Sequence, residues 1–275
     1  MKIGLIGCGK VGIALCYLLK KNNHIMGVYD INKRNEKRAL RLLHIKKNLT
    51  LRELCRVSEV LFFATPDDQI LRAYKKAKSF IIGEKYIFHF SGLLPAMIFP
   101  KRATIYRGSV HPFATFPMIT IPPTRKNFFL FIEGDPKAQM VARKIFPKRY
   151  FILRKINKKD KETHHLIGVF SSNLLVGLMS AIYELTRSIH WEEKDFYNVV
   201  YPLIEETLVN IKKYGVSKAL SGPIRRGDVK VIKKHLKALK KNKTLLNIYK
   251  TLSLNILESV TEKKRNKAIE TLLKK

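Results

Sequence analysis

Gly7, Gly9 and Gly12 form a G-x-G-x-x-G run, with Cys8, Lys10 and Val11 between them, directly after the apolar stretch 2–6. In such a run the first glycine permits a tight turn and the second lets main chain approach a pyrophosphate. The third lets a helix pack close to the strand, so that the helix's first amides face the phosphates. Asp30 closes a second apolar run, 25–29, and lies 18 residues beyond Gly12. A carboxylate there can accept hydrogen bonds from an adenosine ribose. Strand, glycines, helix, strand and acid agree, which favours a dinucleotide site over a glycine turn without a ligand. The choice of cofactor stays open at this point. Asp30 repels a 2′-phosphate, whereas Asn32, Lys33 and Arg34 could hold one.

Ligands of such sheets lie beyond the carboxyl ends of the strands, and three strand ends offer chemistry. Ala64-Thr65-Pro66 would pack along the ribose and nicotinamide, while Ser91-Gly92 and His111-Pro112 would face a substrate carbonyl. Hydride transfer belongs to the cofactor, so the protein must supply position and a proton. His111 could give or take that proton, with Ser91 bonded to the same oxygen; the competing readings are a histidine capping a turn and a common Ser-Gly turn. His89 is read as structural. Farther on, His165 and Asn173 would share one face of a helix, with His164 as their exposed neighbour. In the segment 221–228, Arg226 could clamp a carboxylate, against a plain helix connection capped by Asp228. Cys8, Cys16 and Cys55 show no Cys-x-x-Cys spacing, so neither structural disulfides nor a metal site is expected.

The elements that must position these residues alternate strand and helix through the first half of the chain. That is the α/β pattern of a Rossmann, doubly wound parallel sheet. Strands are expected at 2–6, 25–29, 60–64, 86–90, 105–110, 128–132 and 151–153, with a short one at 49–51 before a turn at 52–55. From about residue 161 the pattern is helical, with helices at 161–187, 192–214, after Asp228, 245–257 and 262–273. The expected division is a dinucleotide-binding domain at 1–155 and an all-α substrate and dimerisation domain at 156–275.

The chain has 275 residues and a formal net charge of +33. Its basic residues are scattered rather than gathered on an aromatic-interleaved platform. The charge therefore suits solvation and the attraction of anionic cofactors and substrates better than nucleic acid binding. The uncharged run 166–183 is 18 residues long, at the lower limit for a membrane span. Its serines, its asparagine and the preceding histidines favour a buried core or dimer helix over a membrane anchor. No signal peptide pattern precedes the first strand, so a cytoplasmic location is expected.

Ser109-Val110-His111-Pro112-Phe113, His165 followed by Val169-Phe170-Ser171-Ser172-Asn173, and Leu220-Ser221-Gly222-Pro223 with Arg226-Gly227-Asp228 resemble a known group. These are the bacterial Rossmann-like proteins with a helical C-terminal domain of formerly unknown function, and the resemblance spans nearly the whole chain. Some members are described as an alternative type of ketopantoate reductase. The resemblance thus implies NADPH-dependent reduction of 2-dehydropantoate, a step of pantothenate biosynthesis, and tips the cofactor expectation slightly toward NADP. The layout is more distantly similar to prephenate dehydrogenase, pyrroline-carboxylate reductase and phosphogluconate dehydrogenase, which imply a homodimer formed through the helical domain. Ser91 and His111 match the serine and the His-Pro histidine of prephenate dehydrogenases. The lysine that acts in phosphogluconate dehydrogenase and in the usual ketopantoate reductases has no counterpart recognised on the long helix. That leaves His111 or His165 as the proton donor, with Ser91 and Asn173 completing the catalytic set. The resulting expectation is an NAD(P)H-dependent reductase of a small keto acid. The alternatives are an NAD(P)-binding sensor or scaffold without catalysis, and a dehydrogenase or imine reductase acting on another carboxylate.

Overall fold

The computed structural model describes residues 1–46, 48–119, 127–259 and 266–274. Met1–Leu174 and Leu175–Lys275 form two compact units. The first unit holds β1 Lys2–Ile6, α1 Lys10–Leu19, β2 His24–Tyr29, α2 Lys33–Leu43, α3 Leu51–Val57, β3 Val60–Phe63, α4 Asp67–Ala77 and β4 Lys85–His89. A 3-10 turn at Ala96–Ile98 precedes β5 Ile105–Pro112, β6 Phe128–Gly134, α5 Pro136–Ile145, β7 Phe151–Lys155 and α6 Lys161–Ser171.

The seven strands form one sheet in the order β2-β1-β3-β4-β5-β6-β7. Strands β1 to β5 run parallel, and their apolar runs are buried on both faces, as helix-covered sheets require. Strand order reverses between β1 and β3, which makes the gap beyond their carboxyl ends the topological switch point. Adjacent side chains of a strand point to opposite faces, and β3 shows it. Phe62 packs with Phe88, Phe90 and Phe146 on one face, while Phe63 packs with Tyr74 and Phe99 on the other.

Several expectations change here. Strand β6 pairs antiparallel with β5, so the sheet is mixed rather than wholly parallel. Residues 49–51 form no strand; Thr50 instead caps α3 in a reciprocal capping box with Glu53, a Thr-x-x-Glu signal that is plain in the sequence. Thr50→Ala should cost about 1 kcal/mol of stability, read as a lower midpoint in urea unfolding. The compact units meet after Leu174 rather than at 155/156, because α6 packs onto the sheet. Lys161 bonds the ends of β4 and β5, and Gly168 lies against Phe113.

The second unit is helical throughout its described residues. It comprises α7 Asn173–Ser188, α8 Glu193–Asp195, a π turn Phe196–Val200, α9 Tyr201–Tyr214, α10 Val216–Ala219, α11 Pro223–Arg226, α12 Val229–Leu239, α13 Lys243–Ser259 and α14 Lys267–Lys274. The expected single helix 161–187 is broken at Ser172, with φ −133° and ψ −67°, and that at 192–214 contains the π turn. Residues 262–265 of the expected last helix lie outside the described residues. Asp228 makes no capping bond with its side chain and pairs with Arg226 at 2.8 Å instead; the carboxylate clamp suggested for Arg226 is thus engaged within the chain. Lys158–Ser188 is by length and composition apolar enough to cross a membrane, with hydropathy 1.7, yet only 6% of that window is buried. Within one chain, then, this stretch is not the core helix expected.

Candidate active site

At the switch point, Gly7 has φ +93°, and a Cβ there would lie 2.7 Å from the main chain of Ala64. Glycine is required both by conformation and by space. A Cβ at Gly9 would meet only the Ala64 carbonyl, at 3.6 Å, and Gly9 caps α1 with no side-chain bond, so the first-turn amides of α1 are available to an anion. Asp30 is fixed by two main-chain amides: Cys8 N–H donates to Oδ2 and Asn32 N–H to Oδ1, each at 2.7 Å. The Asn32 side chain caps α2 by accepting from the Arg34 and Asn35 amides. Lys10 Nζ reaches the Pro117 carbonyl at 2.6 Å. Burial, then the Asp30 charge, push the Cys8 thiol up, leaving it an inert packing group.

These residues border a cavity of 460 Å³ that also takes in Ala64, Thr65, Pro66, Arg72 and Lys76. Thr65 Oγ1 is buried and has no hydrogen-bond partner among the described residues. A cradle that admits no Cβ at Gly7, unengaged helix amides, a pinned carboxylate and an orphaned hydroxyl fit a dinucleotide with its pyrophosphate at Gly9.

The second cluster lies two and three strands along the same sheet edge, at the ends of β4 and β5. At about 4.8 Å per strand this is roughly 10–14 Å from β1. His111 is partly exposed and stands opposite Phe131 in the β5–β6 register. A Cβ on Gly92 would lie 2.8 Å from His111 Nε2 and 2.7 Å from His165 Nδ1. The two imidazoles thus pack against the bare glycine, which leaves no room there for a side chain. His164 closes the inner side, its ring 4.0 Å from that of Phe131, 5.0 Å from Phe113 and 5.5 Å from His111. It is not the exposed neighbour expected, because residues 164 and 165 both turn toward β5 from the first turns of α6.

Behind the histidines lies Lys161, 2% exposed. Its Nζ donates to Ser109 Oγ at 2.8 Å and to the Ser91 carbonyl at 3.4 Å. Among the described residues no carboxylate lies within ion-pair distance of it. The two that act on it from farther off are themselves held: Glu133 accepts from Ala96 N–H and Asp67 from Ser91 O–H. Burial brings the Lys161 ammonium down to about 8, against the pull of Glu133 and Asp67. Burial, then the charges of His164, Lys161 and His165, bring His111 down to about 3. His111 is thus a neutral imidazole at pH 7, and its Nδ1 is buried without a partner among the described residues. It does not titrate near neutrality as a free histidine would.

Other candidates are placed differently. Ser91 Oγ donates to Asp67 at 2.5 Å and accepts from the amides of Leu93 and Leu94; its hydroxyl is occupied in holding the β4 turn. His89 is buried, accepts from Ser91 N–H and contacts the Pro95 carbonyl, in keeping with a structural role. Asn173 is exposed at the start of α7 and accepts from Ser172 Oγ at 3.0 Å; the break at Ser172 removes the common helix face with His165. Lys161 is the candidate site residue that sequence reasoning missed. Its usable signal was the i, i+4 spacing to His165, hidden among the exposed lysines 155, 158 and 159.

Residues 1–98 match the Rossmann-like domain family, and residues 128–256 match the domain of unknown function DUF2520. Each match covers less than half of the chain. No curated protein matches its sequence. Among solved structures, the chain is similar to a Bacteroides fragilis protein provisionally classed as an NADP oxidoreductase, with 21% identity, 93% and 97% of the two chains covered and a TM-score of 0.76. It is also similar to a reductive aminase of Aspergillus terreus solved with NADPH and ethyl-5-oxohexanoate, at 14% identity, 98% and 99% coverage and a TM-score of 0.67. A third is the pyrroline carboxylate reductase of Plasmodium falciparum with NADP bound, at 16% identity, 98% coverage of both chains and a TM-score of 0.58. At these identities the likeness is one of fold.

Proposed function

We propose that the chain is an NAD(P)H-dependent reductase that converts the carbonyl of a small keto acid to an alcohol, with 2-dehydropantoate the leading substrate. The observation that carries this reading is a buried ammonium, Lys161, without a carboxylate in ion-pair range among the described residues, behind the neutral His111 that packs on Gly92. The dinucleotide cavity opens on the same sheet edge. When bound, the cofactor supplies the hydride. His111, being neutral, can donate an N–H hydrogen bond to the carbonyl oxygen; the proton that completes the alcohol would come from solvent. Lys161, held by Ser109 and the Ser91 carbonyl, presents a fixed positive charge toward the oxygen on which negative charge grows. Pre-aimed charge of this kind lowers a barrier without reorganisation. The partly exposed His165 lies beside His111 and can orient a substrate carboxylate.

The same charge separates carbonyl from imine reduction. Hydride addition to an imine proceeds through a cationic iminium, which a neighbouring ammonium disfavours; addition to a ketone builds an alkoxide, which it favours. Oxidation of reduced nicotinamide should therefore be measured with 2-dehydropantoate, other 2-keto acids and a cyclic imino acid. Turnover with a keto acid, at least tenfold faster than with the imine, is expected. Tight cofactor binding without turnover on any of them would select the sensor or scaffold reading instead. A homodimer formed by helices of the second unit belongs to the same proposal. It would account for the apolar residues left exposed there, such as Val176, Leu203, Val209 and Val216.

A further inference from the structure

The loop after β2 offers the basic residues from which a 2′-phosphate would be expected to draw its partners, and the structure engages Lys33 and Arg38 elsewhere while leaving Arg34 exposed. Lys33 Nζ bonds both carboxylate oxygens of the buried Glu36, each at 3.1 Å, and lies over the Tyr29 ring. Arg38 bonds Asn35 Oδ1 at 3.0 Å, and Arg34 does not border the cavity. The Asn32 side chain, which could have met a phosphate, is spent on capping α2. What faces the cavity from this loop is the Asp30 carboxylate. Its oxygens take amide protons from Cys8 and Asn32, which prevents the side chain from turning aside, and each oxygen keeps a second acceptor site.

We infer that this chain selects NAD over NADP, with Asp30 as the residue that decides. The inference rests on the dinucleotide reading of the cavity. Fixed at the end of β2, the carboxylate can accept from both ribose hydroxyls of NAD; a 2′-phosphate removes one donor and brings two like charges together. Arg72 and Lys76 lie one helical turn apart on α4 and border the same cavity. On this inference their attraction acts on the pyrophosphate that both dinucleotides carry.

The test is direct titration of the whole protein with NADH and NADPH, followed by nicotinamide fluorescence, so that binding is read without turnover. NADH is expected to bind at least tenfold tighter. Asp30→Asn, which keeps the shape and one acceptor oxygen but removes the charge, should cut that preference about tenfold, with circular dichroism confirming the fold. Arg72→Met and Lys76→Met should weaken both cofactors by similar factors. Equal or tighter binding of NADPH by the wild type, an unchanged ratio in Asp30→Asn, or a loss confined to NADPH in the α4 variants would each overturn the inference. Failure of both dinucleotides to bind would instead remove the cofactor reading itself, and this inference with it.

Discussion

Lys161→Met is expected to lower kcat/KM for keto-acid reduction about 10²–10³-fold, the range associated with losing one pre-aimed group at a developing oxyanion. It should do so while leaving the protein as stable as the wild type or more so. The sign follows from linkage. Burial brings Lys161 to about 8 from an ordinary 10.5. Between those two pH values the unfolded chain binds more protons than the folded one, so stability rises with pH through that window and the cost of the buried charge is fully present below about 8. Removing the charge should return roughly 1–3 kcal/mol near pH 7, and the gain should shrink as pH rises toward 10.5. Activity moves the other way. If the ammonium stabilises the alkoxide, the wild-type kcat/KM is level below pH 8 and falls above it as the lysine loses its proton, a limb absent from Lys161→Met and displaced upward in Lys161→Arg. A lysine that only fills space would show neither the limb nor its displacement.

His111→Ala should reduce kcat about 10²–10³-fold and leave cofactor affinity within about twofold, since His111 lies two strands beyond the β1/β3 crevice. Because His111 is held near 3 by burial and by the neighbouring His164, Lys161 and His165, it carries no charge at any pH above about 4. The rate should therefore show no limb near 6.5 attributable to this imidazole. An acid limb there that disappears in His111→Ala would show that the imidazolium, not the neutral ring, is the working form, and would sink the mechanism given above. His111→Gln retains an N–H donor and should recover part of the loss.

The sheet was legible because its residues report on themselves. Apolar runs of four or five, each closed by Gly-x-Gly, Asp30, Thr65-Pro66, Ser91-Gly92 or His111-Pro112, are what buried parallel strands look like, and the glycine spacing states the turn they need. The reversal of β6 was not legible, because strand polarity depends on the connection between β5 and β6, which neither period nor composition encodes. The capping box at Thr50 and Glu53 is present in the sequence as Thr-x-x-Glu, and it, rather than a strand at Leu49-Thr50-Leu51, decides the local structure. Within the site, His111 and His165 could be found as polar residues at ends and faces. Lys161 had only its i, i+4 spacing to His165 to set it apart from the neighbouring lysines, since its character arises when β4, β5 and α6 close around it and exclude water. Asn173 erred in the opposite direction. Its spacing from His165 assumes an unbroken helix, and Ser172 breaks it with no proline or glycine to announce the break.

Gly92 bears on descent as well as on chemistry. A single methyl group there would fall within 3 Å of both His111 and His165, so even the smallest substitution at position 92 must displace the two imidazoles. Lineages that shift this scaffold to bulkier or differently charged substrates must leave that residue alone. Their changes have to be written on the aromatic wall of Phe113 and Phe131, where a ring can be trimmed by degrees and each intermediate still leaves the imidazoles clear.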